Sequence, residues 1–195
     1  MPGGRPRAFD PRTALDRALE LFWRQGYEGT SLSDLTAAMG INRNSLYATF
    51  GNKEELFRKA LDRYFTGPGA FAAEALEEPT ARAVVERMLL GAVELTGGTH
   101  APPGCLSVNS VHACGPDSRA VREEVIARRM AGEAALRRRF ERAPDLTAGC
   151  DPGVLARLVH TVTDGIAVQA ASGHTREQVR QVADLALRTL FPSAD

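Results

Sequence analysis

The sequence predicts an all-α fold, with a small three-helix unit at the N-terminus and a larger helical bundle behind it. Three observations lead there. Apolar residues recur at helical spacing along nearly the whole chain. No alternating polar–apolar run lies between turn signals, so no strand is expected. The periodic stretches also begin at capping residues and end at glycines or prolines, the residues that satisfy or interrupt helix termini.

The first helix opens at Asp10-Pro11, a capping acid followed by a proline whose missing N–H costs nothing at the first helical position. Leu15, Ala18, Leu19 and Phe22 make its buried stripe, and Gly26 ends it. Ser31-Leu32-Ser33-Asp34 resembles a capping box for a short second helix with Leu35, Ala38 and Met39 inside; Gly40 stops it. Asn42 caps a third helix with Leu46, Tyr47 and Phe50 as apolar positions, ending at Gly51. Asn52-Lys53-Glu54-Glu55 opens the fourth, whose stripe runs through Leu56, Phe57, Ala60, Leu61, Tyr64 and Phe65 until Gly67-Pro68-Gly69 interrupts it.

Beyond that break a bundle is expected. One helix spans Pro79 to Leu95, with Val85, Met88, Leu89 and Ala92 inward. A Gly/Pro loop leads to a short apolar segment, Cys105 to Ala113. Asp117 caps a long arginine-rich helix ending near Pro144, and Asp151-Pro152 begins another that runs to Gly173. Thr175-Arg176-Glu177-Gln178 is a capping box for the last helix, which stops before Pro192.

Composition narrows the setting. A chain of 195 residues, 44% of them hydrophobic, can bury a sizeable core. Its formal net charge is zero, so no global charge points to nucleic acid. The cations are arginines except Lys53 and Lys59; arginine suits phosphates and base edges and serves equally in surface ion pairs. Cys105, Cys114 and Cys150 are odd in number and lack C-x-x-C spacing, against a disulfide scaffold or structural zinc. No apolar run approaches the ~20 residues of a membrane span. The Gly/Pro/Arg-rich stretch from Met1 to Arg7 leads into no apolar segment and is not a signal peptide. A soluble, reducing, cytoplasmic setting is expected, without metal or cofactor. No nucleophile–base pair, metal motif or phosphate-cradling loop occurs, and His100, His112, His160 and His174 are scattered, so no enzyme is expected.

The informative stretch is Gly29 to Lys53: a short capped helix, a glycine turn and a second short capped helix, the helix-turn-helix arrangement. Entry into a groove ~12 Å wide requires short polar residues on the outer face of the second helix. Arg43, Asn44, Ser45 and Thr49 supply them, as an ordinary polar surface helix also would.

From Ala18 to Leu61 the residues resemble the TetR DNA-binding domain. The likeness rests on Ala18-Leu19-Glu20-Leu21-Phe22, Gly26-Tyr27-Glu28-Gly29-Thr30-Ser31 and Met39-Gly40-Ile41. It continues through Ser45-Leu46-Tyr47, Phe50-Gly51-Asn52-Lys53 and Glu55-Leu56-Phe57. The resemblance implies a regulator in two parts: residues 1–51, an N-terminal arm and helix-turn-helix domain, and residues 52–195, an effector-binding and dimerising helical domain joined to it by the helix from Asn52. It implies three partners: double-stranded operator DNA, a small-molecule effector and a second copy of the chain. Arg43, Asn44 and Thr49 take base- or phosphate-contacting positions. Tyr47, Lys53, Thr30 and Ser31 match phosphate-contacting ones, although the Tyr47 ring would equally serve as a core anchor. Arg5 and Arg7 lie on an arm able to reach the minor groove.

In the body the likeness weakens to Gly104-Cys105-Leu106 and Asn109, the region that connects the effector cavity to the head. Phe65, Met88, Leu89, Leu106, Met130 and Phe140 are candidate pocket residues, with Asn109 and His112 as polar orienting groups. The same residues suit plain core and internal hydrogen bonds. The arginines from Arg119 to Arg142, interspersed with glutamates, form a solvated face. Leu155, Leu158, Val159, Val162 and Ile166, with Val179, Val182, Leu185 and Ala186, form stripes expected at a dimer interface. Cys105 and Cys114 are either oxidation-sensing thiols or small buried hydrophobes.

Overall fold

The computed structural model describes residues 9–96, 102–112, 118–146 and 149–192. Arg5, Arg7, His100, Cys114 and Asp117 lie outside the described residues, as does the His112 side chain. Four helices come first: α1 (Pro11–Gln25), α2 (Leu32–Met39) and α3 (Arg43–Phe50) of the head, then α4 (Lys53–Phe65). The body comprises α5 (Phe71–Glu74) with a 3-10 turn (Ala75–Glu77), α6 (Ala81–Thr96), α7 (Leu106–His112), α8 (Arg119–Phe140), α9 (Pro152–Ala171) and α10 (Arg176–Leu190). The described residues contain no strand.

The capping residues act as the sequence requires. The Asp10 carboxylate accepts from the Arg12 and Thr13 backbone N–H groups, with Pro11 in the first helical turn. Reciprocal boxes form at Ser31/Asp34, Asn52/Glu55 and Thr175/Gln178, so the shorter aspartate suffices in the first of them. Gly40 sits at φ 68°, and Gly40 and Ile41 donate back to the carbonyls of Ala37 and Thr36, closing α2 in one tight turn before Asn42 caps α3.

Two features were not foreseen. The segment after Gly67-Pro68-Gly69 is not a plain interruption, because it holds α5 and the 3-10 turn. The first N–H groups of α6 are capped from afar: Ala81 and Arg82 donate to the Asp145 carboxylate at 2.6 and 3.1 Å.

Two apolar clusters organise the chain. The first gathers Phe22, Trp23, Leu35, Leu46, Phe57 and Tyr64 from α1 to α4, together with Leu106, Val121 and Val125 from α7 and α8. The second lies within α6, α8, α9 and α10, around Met88, Leu89, Leu136, Phe140, Val159 and Ile166. Edge-on aromatic contacts tighten the first, Phe22 on Phe57 at 5.1 Å and Trp23 on Tyr64 at 4.9 Å between centroids. Because α7 and α8 complete the head's core, head and body share buried surface. Ion pairs add to that join: Arg58 and Asp62 on α4 meet Glu124 and Arg128 on α8. Pairs this exposed contribute ~0–1 kcal/mol each, so they set register more than stability.

Candidate functional site

The outward face of α3 carries Arg43, Asn44 and Tyr47, all exposed, with Ser45 and Thr49 half-buried beside them. Tyr47 is 47% exposed, so its ring is a surface group and not a core anchor; Leu46 and Phe50 hold α3 in place instead. Lys53 stands in the first turn of α4, its ammonium 4.3 Å from the centroid of the Tyr27 ring. That contact fixes a cation where backbone N–H groups also favour an anion. Ser31 is exposed at the start of α2, its hydroxyl donating to Asp34 at 2.6 Å within the capping box. Thr30 requires a correction. It is fully buried and its hydroxyl donates to the Gly26 carbonyl at 2.7 Å, so its side chain ties the α1–α2 turn and cannot reach a phosphate.

A second feature lies where the two apolar clusters meet, a cavity of about 370 Å³ bounded by α4 to α9. Its size falls in the range of small-molecule sites. Much of its wall is apolar, including Phe71, Leu76, Met88, Ala92 and Leu136. The wall also carries a hydrogen-bonded chain. The Tyr64 hydroxyl and Cys105 thiol share a hydrogen bond of 3.1 Å, and Cys105 and Ser107 another of 3.2 Å. Arg129 donates to the Ser107 hydroxyl and pairs with Asp164. Burial, together with the Cys105 thiol, pushes the Tyr64 phenol well above the ordinary tyrosine range, so it stays protonated. Separately, the buried Trp23 indole N–H donates to the carbonyl of Gly104, the residue before Cys105, at 3.1 Å.

Of the expected pocket residues, Phe65 and Met88 line this cavity. Leu89, Leu106 and Phe140 are packed inside the two clusters and do not. Met130 is 67% exposed on the outer side of α8 and borders only a shallow groove. Asn109 lies off the cavity beside Gly104, and the polar position on α7 that does face it is Ser107. Arg129 also departs from the expected solvated face, since it turns inward to Asp164 while Arg119 and Arg137 pair with Glu123 and Glu141 outside. Tyr64, His160 and Asp164 were missed as lining groups. Each sits on a helical stripe that periodicity assigns to core or surface, and only the fold turns them to one space.

The expected interface residues divide in three by exposure. Leu158, Val182 and Leu185 are 40, 50 and 59% exposed on α9 and α10, with Val154 and Val168 exposed on α9 as well. Val162 and Ala186 are half-buried. Leu155, Ile166 and Val179 are at most 4% exposed, because they fill the protomer's own second cluster, and cannot be surface contacts.

Residues 14–60, which span α1 to most of α4, match the family described as bacterial regulatory proteins, tetR family. The chain is 33% identical over 194 residues to the HTH-type transcriptional repressor ComR of Escherichia coli (strain K12), covering 97% of this chain and 92% of that protein. It is 30% identical over 187 residues to the HTH-type transcriptional repressor BdcR of the same organism, covering 94% and 90%. A solved structure of a cysteine mutant of the TetR family transcriptional regulator CifR, complexed with 26bp double-strand operator DNA, superposes with a TM-score of 0.90 at 41% identity, covering 96% of this chain and all of that one. No helix among the described residues is long and apolar enough to cross a membrane. The chain therefore belongs to the tetR family of bacterial regulatory proteins and is a DNA-binding transcriptional regulator.

Proposed function

We propose that the chain is a repressor that binds a palindromic operator as a homodimer and is released by a small molecule entering the cavity. The observation that carries this reading is the double role of α4. Its C-terminal end supplies Tyr64 and Phe65 to the cavity wall, and its N-terminal end carries Lys53 shortly after the end of α3. Thirteen helical residues, roughly 20 Å long, join the two. A ligand that displaces the cavity end of a rigid helix re-aims the other end. Two recognition helices addressing half-sites one DNA turn apart, ~34 Å, tolerate little re-aiming. The exposed apolar residues of α9 and α10 are the surface on which a second copy would pack. Arg43 and Asn44 have the donor geometry for guanine and adenine edges, whereas Lys53 and Tyr47 suit phosphates.

The test begins with operators selected from random-sequence duplex DNA. Lys53→Ala should weaken binding to every selected sequence and lower the salt slope by about one unit, while Arg43→Ala should relax preference at one or two base positions. Altered base preference in Lys53→Ala with none in Arg43→Ala would reverse these roles. For the switch, a bound ligand that lowers operator affinity must itself be bound more weakly, by the same factor, in the presence of operator.

A further inference from the structure

We propose that the cavity selects an uncharged, largely apolar molecule carrying one hydrogen-bonding head, and that this head seats beside His160, in space left by Gly132. The inference rests on the reading of the cavity as an effector site and adds the chemistry of its ligand.

The first observation is charge balance. The ionised groups on the wall are already matched: Arg129 pairs with Asp164, and Arg128 pairs with Asp62 and Glu124. A charged ligand would surrender its hydration without an unmatched counter-ion to replace it, a penalty that a neutral ligand escapes.

The second is His160. Its Nε2 is buried and has no hydrogen-bond partner among the described residues, a state that costs free energy until a partner arrives. The groups around the ring are the Arg129, Asp164 and Glu133 side chains and the Gly132 carbonyl. Burial pushes the imidazole below the ordinary histidine range, and Arg129 adds to this, outweighing the opposing pull of Asp164, Glu133 and the Gly132 carbonyl. The ring is therefore neutral near pH 7, and a neutral head such as a hydroxyl matches Nε2 whether that nitrogen accepts or donates.

The third is Gly132 itself. Glycine inside a helix such as α8 is unfavourable relative to alanine. Gly91 on α6 has a packing reason, because a β-carbon there would lie 2.3 Å from the Phe71 ring. Gly132 has none: a β-carbon would meet only His160, at 3.7 Å from Cε1 and 3.8 Å from Nε2, which is ordinary contact. What its absence leaves, on the cavity wall, is room for one methyl-sized group in ordinary contact with the His160 ring.

The experiment uses four probes that share one body: butylbenzene, phenylbutanol, phenylbutyrate and phenylbutylamine. Affinities are measured at pH 7 by titration calorimetry on the full chain and on His160→Phe and Gly132→Ala. Phenylbutanol should bind the unaltered protein at least about ten-fold more tightly than either ionised probe. His160→Phe and Gly132→Ala should each lower phenylbutanol affinity about five- to ten-fold and leave butylbenzene within two-fold. Gly132→Ala keeps the test open if His160→Phe does not fold, since its methyl group meets nothing closer than 3.7 Å. Tightest binding by phenylbutyrate or phenylbutylamine would overturn the charge argument. Equal losses for butylbenzene and phenylbutanol in the variants, or none for either, would overturn the His160 seat while leaving the cavity a ligand site. If no probe bound at all, both this inference and the effector reading would fall.

Discussion

A single charge placed on α10 should separate the second copy from the protomer fold. Val182 is 50% exposed on a face that also carries Leu185, whereas Ile166 on α9 is 1% exposed within the second cluster. In a symmetric dimer every interface substitution occurs twice. Val182→Glu removes about 1 kcal/mol of apolar burial per copy, given that a fully buried valine contributes roughly 1.5–3 kcal/mol. It also asks two carboxylates to lose water without a partner, at several kcal/mol each before they relax toward solvent. Even a net loss of about 4 kcal/mol raises the dissociation constant roughly a thousand-fold. Sedimentation velocity at micromolar concentration should therefore show monomers with unchanged helical circular dichroism and lost operator binding. Ile166→Glu should behave differently and unfold the protomer, because its charge enters that protomer's own core. A fully dimeric Val182→Glu protein would remove α10 from the interface, and a well-folded Ile166→Glu monomer would contradict the burial of α9.

Trp23→Phe deletes the donor to Gly104 and shrinks the ring against Tyr64. An unsatisfied buried carbonyl and a small void together should cost about 2–4 kcal/mol in urea unfolding followed by circular dichroism, and a loss below about 1 kcal/mol would mean that α1 and α7 are not held together there. Gly132→Ala should raise stability by about 0.5–1 kcal/mol through helix propensity, even as it impairs ligand binding; a destabilised variant would show that the space beside His160 is already filled. Burial would raise the Asp145 pKa, but the N–H groups of Arg82 and Ala81 hold it below the ordinary carboxylate value. A depressed folded-state value contributes stability that is present above the unfolded-state pKa, near 3.9, and lost as pH falls through the folded one. Asp145→Asn should therefore flatten the acid limb of a stability–pH profile below about pH 4, and an unchanged limb would show that this carboxylate does not hold α6.

The head was legible in the sequence because its signals are local. A cap lies three residues from the N–H it satisfies, and the αL turn needs only Gly40, so Asp10, Ser31, Asn42 and Asn52 announce their helices unaided. Thr30 shows the limit. Its position next to a capping serine reads as surface, but its hydroxyl folds back onto Gly26 and buries it. The cavity was scarcely legible, since its wall comes from separate helices with separate periodicities. Asp145 capping α6 across 64 positions is the same kind of long-range event. The dimer stripes fell between these cases: periodicity found apolar residues on α9 and α10 but could not divide those facing the protomer from those facing away.

That division has a functional consequence. Ala167, Thr163 and Asp164 of α9 face the cavity, Ile166 faces the protomer core, and Val168 and Leu158 face outward. A helix with three occupied faces cannot rotate to admit a ligand without disturbing either the core or the surface proposed for the second copy. α4 faces the cavity only at its end: Tyr64 is buried against Trp23 of α1, and past Phe65 the chain turns at Thr66 and Gly67. Its polar contacts to the body there are Tyr64 to Cys105 and Asp62 to Arg128, the latter an exposed pair contributing ~0–1 kcal/mol, whereas α1 holds it through Trp23 and Asp16. In the proposed release, the element that responds is the one that carries Lys53 and is packed on α1 of the head, while the element proposed to hold the two copies together stays fixed. A regulator that must move its reading heads without falling apart requires that asymmetry.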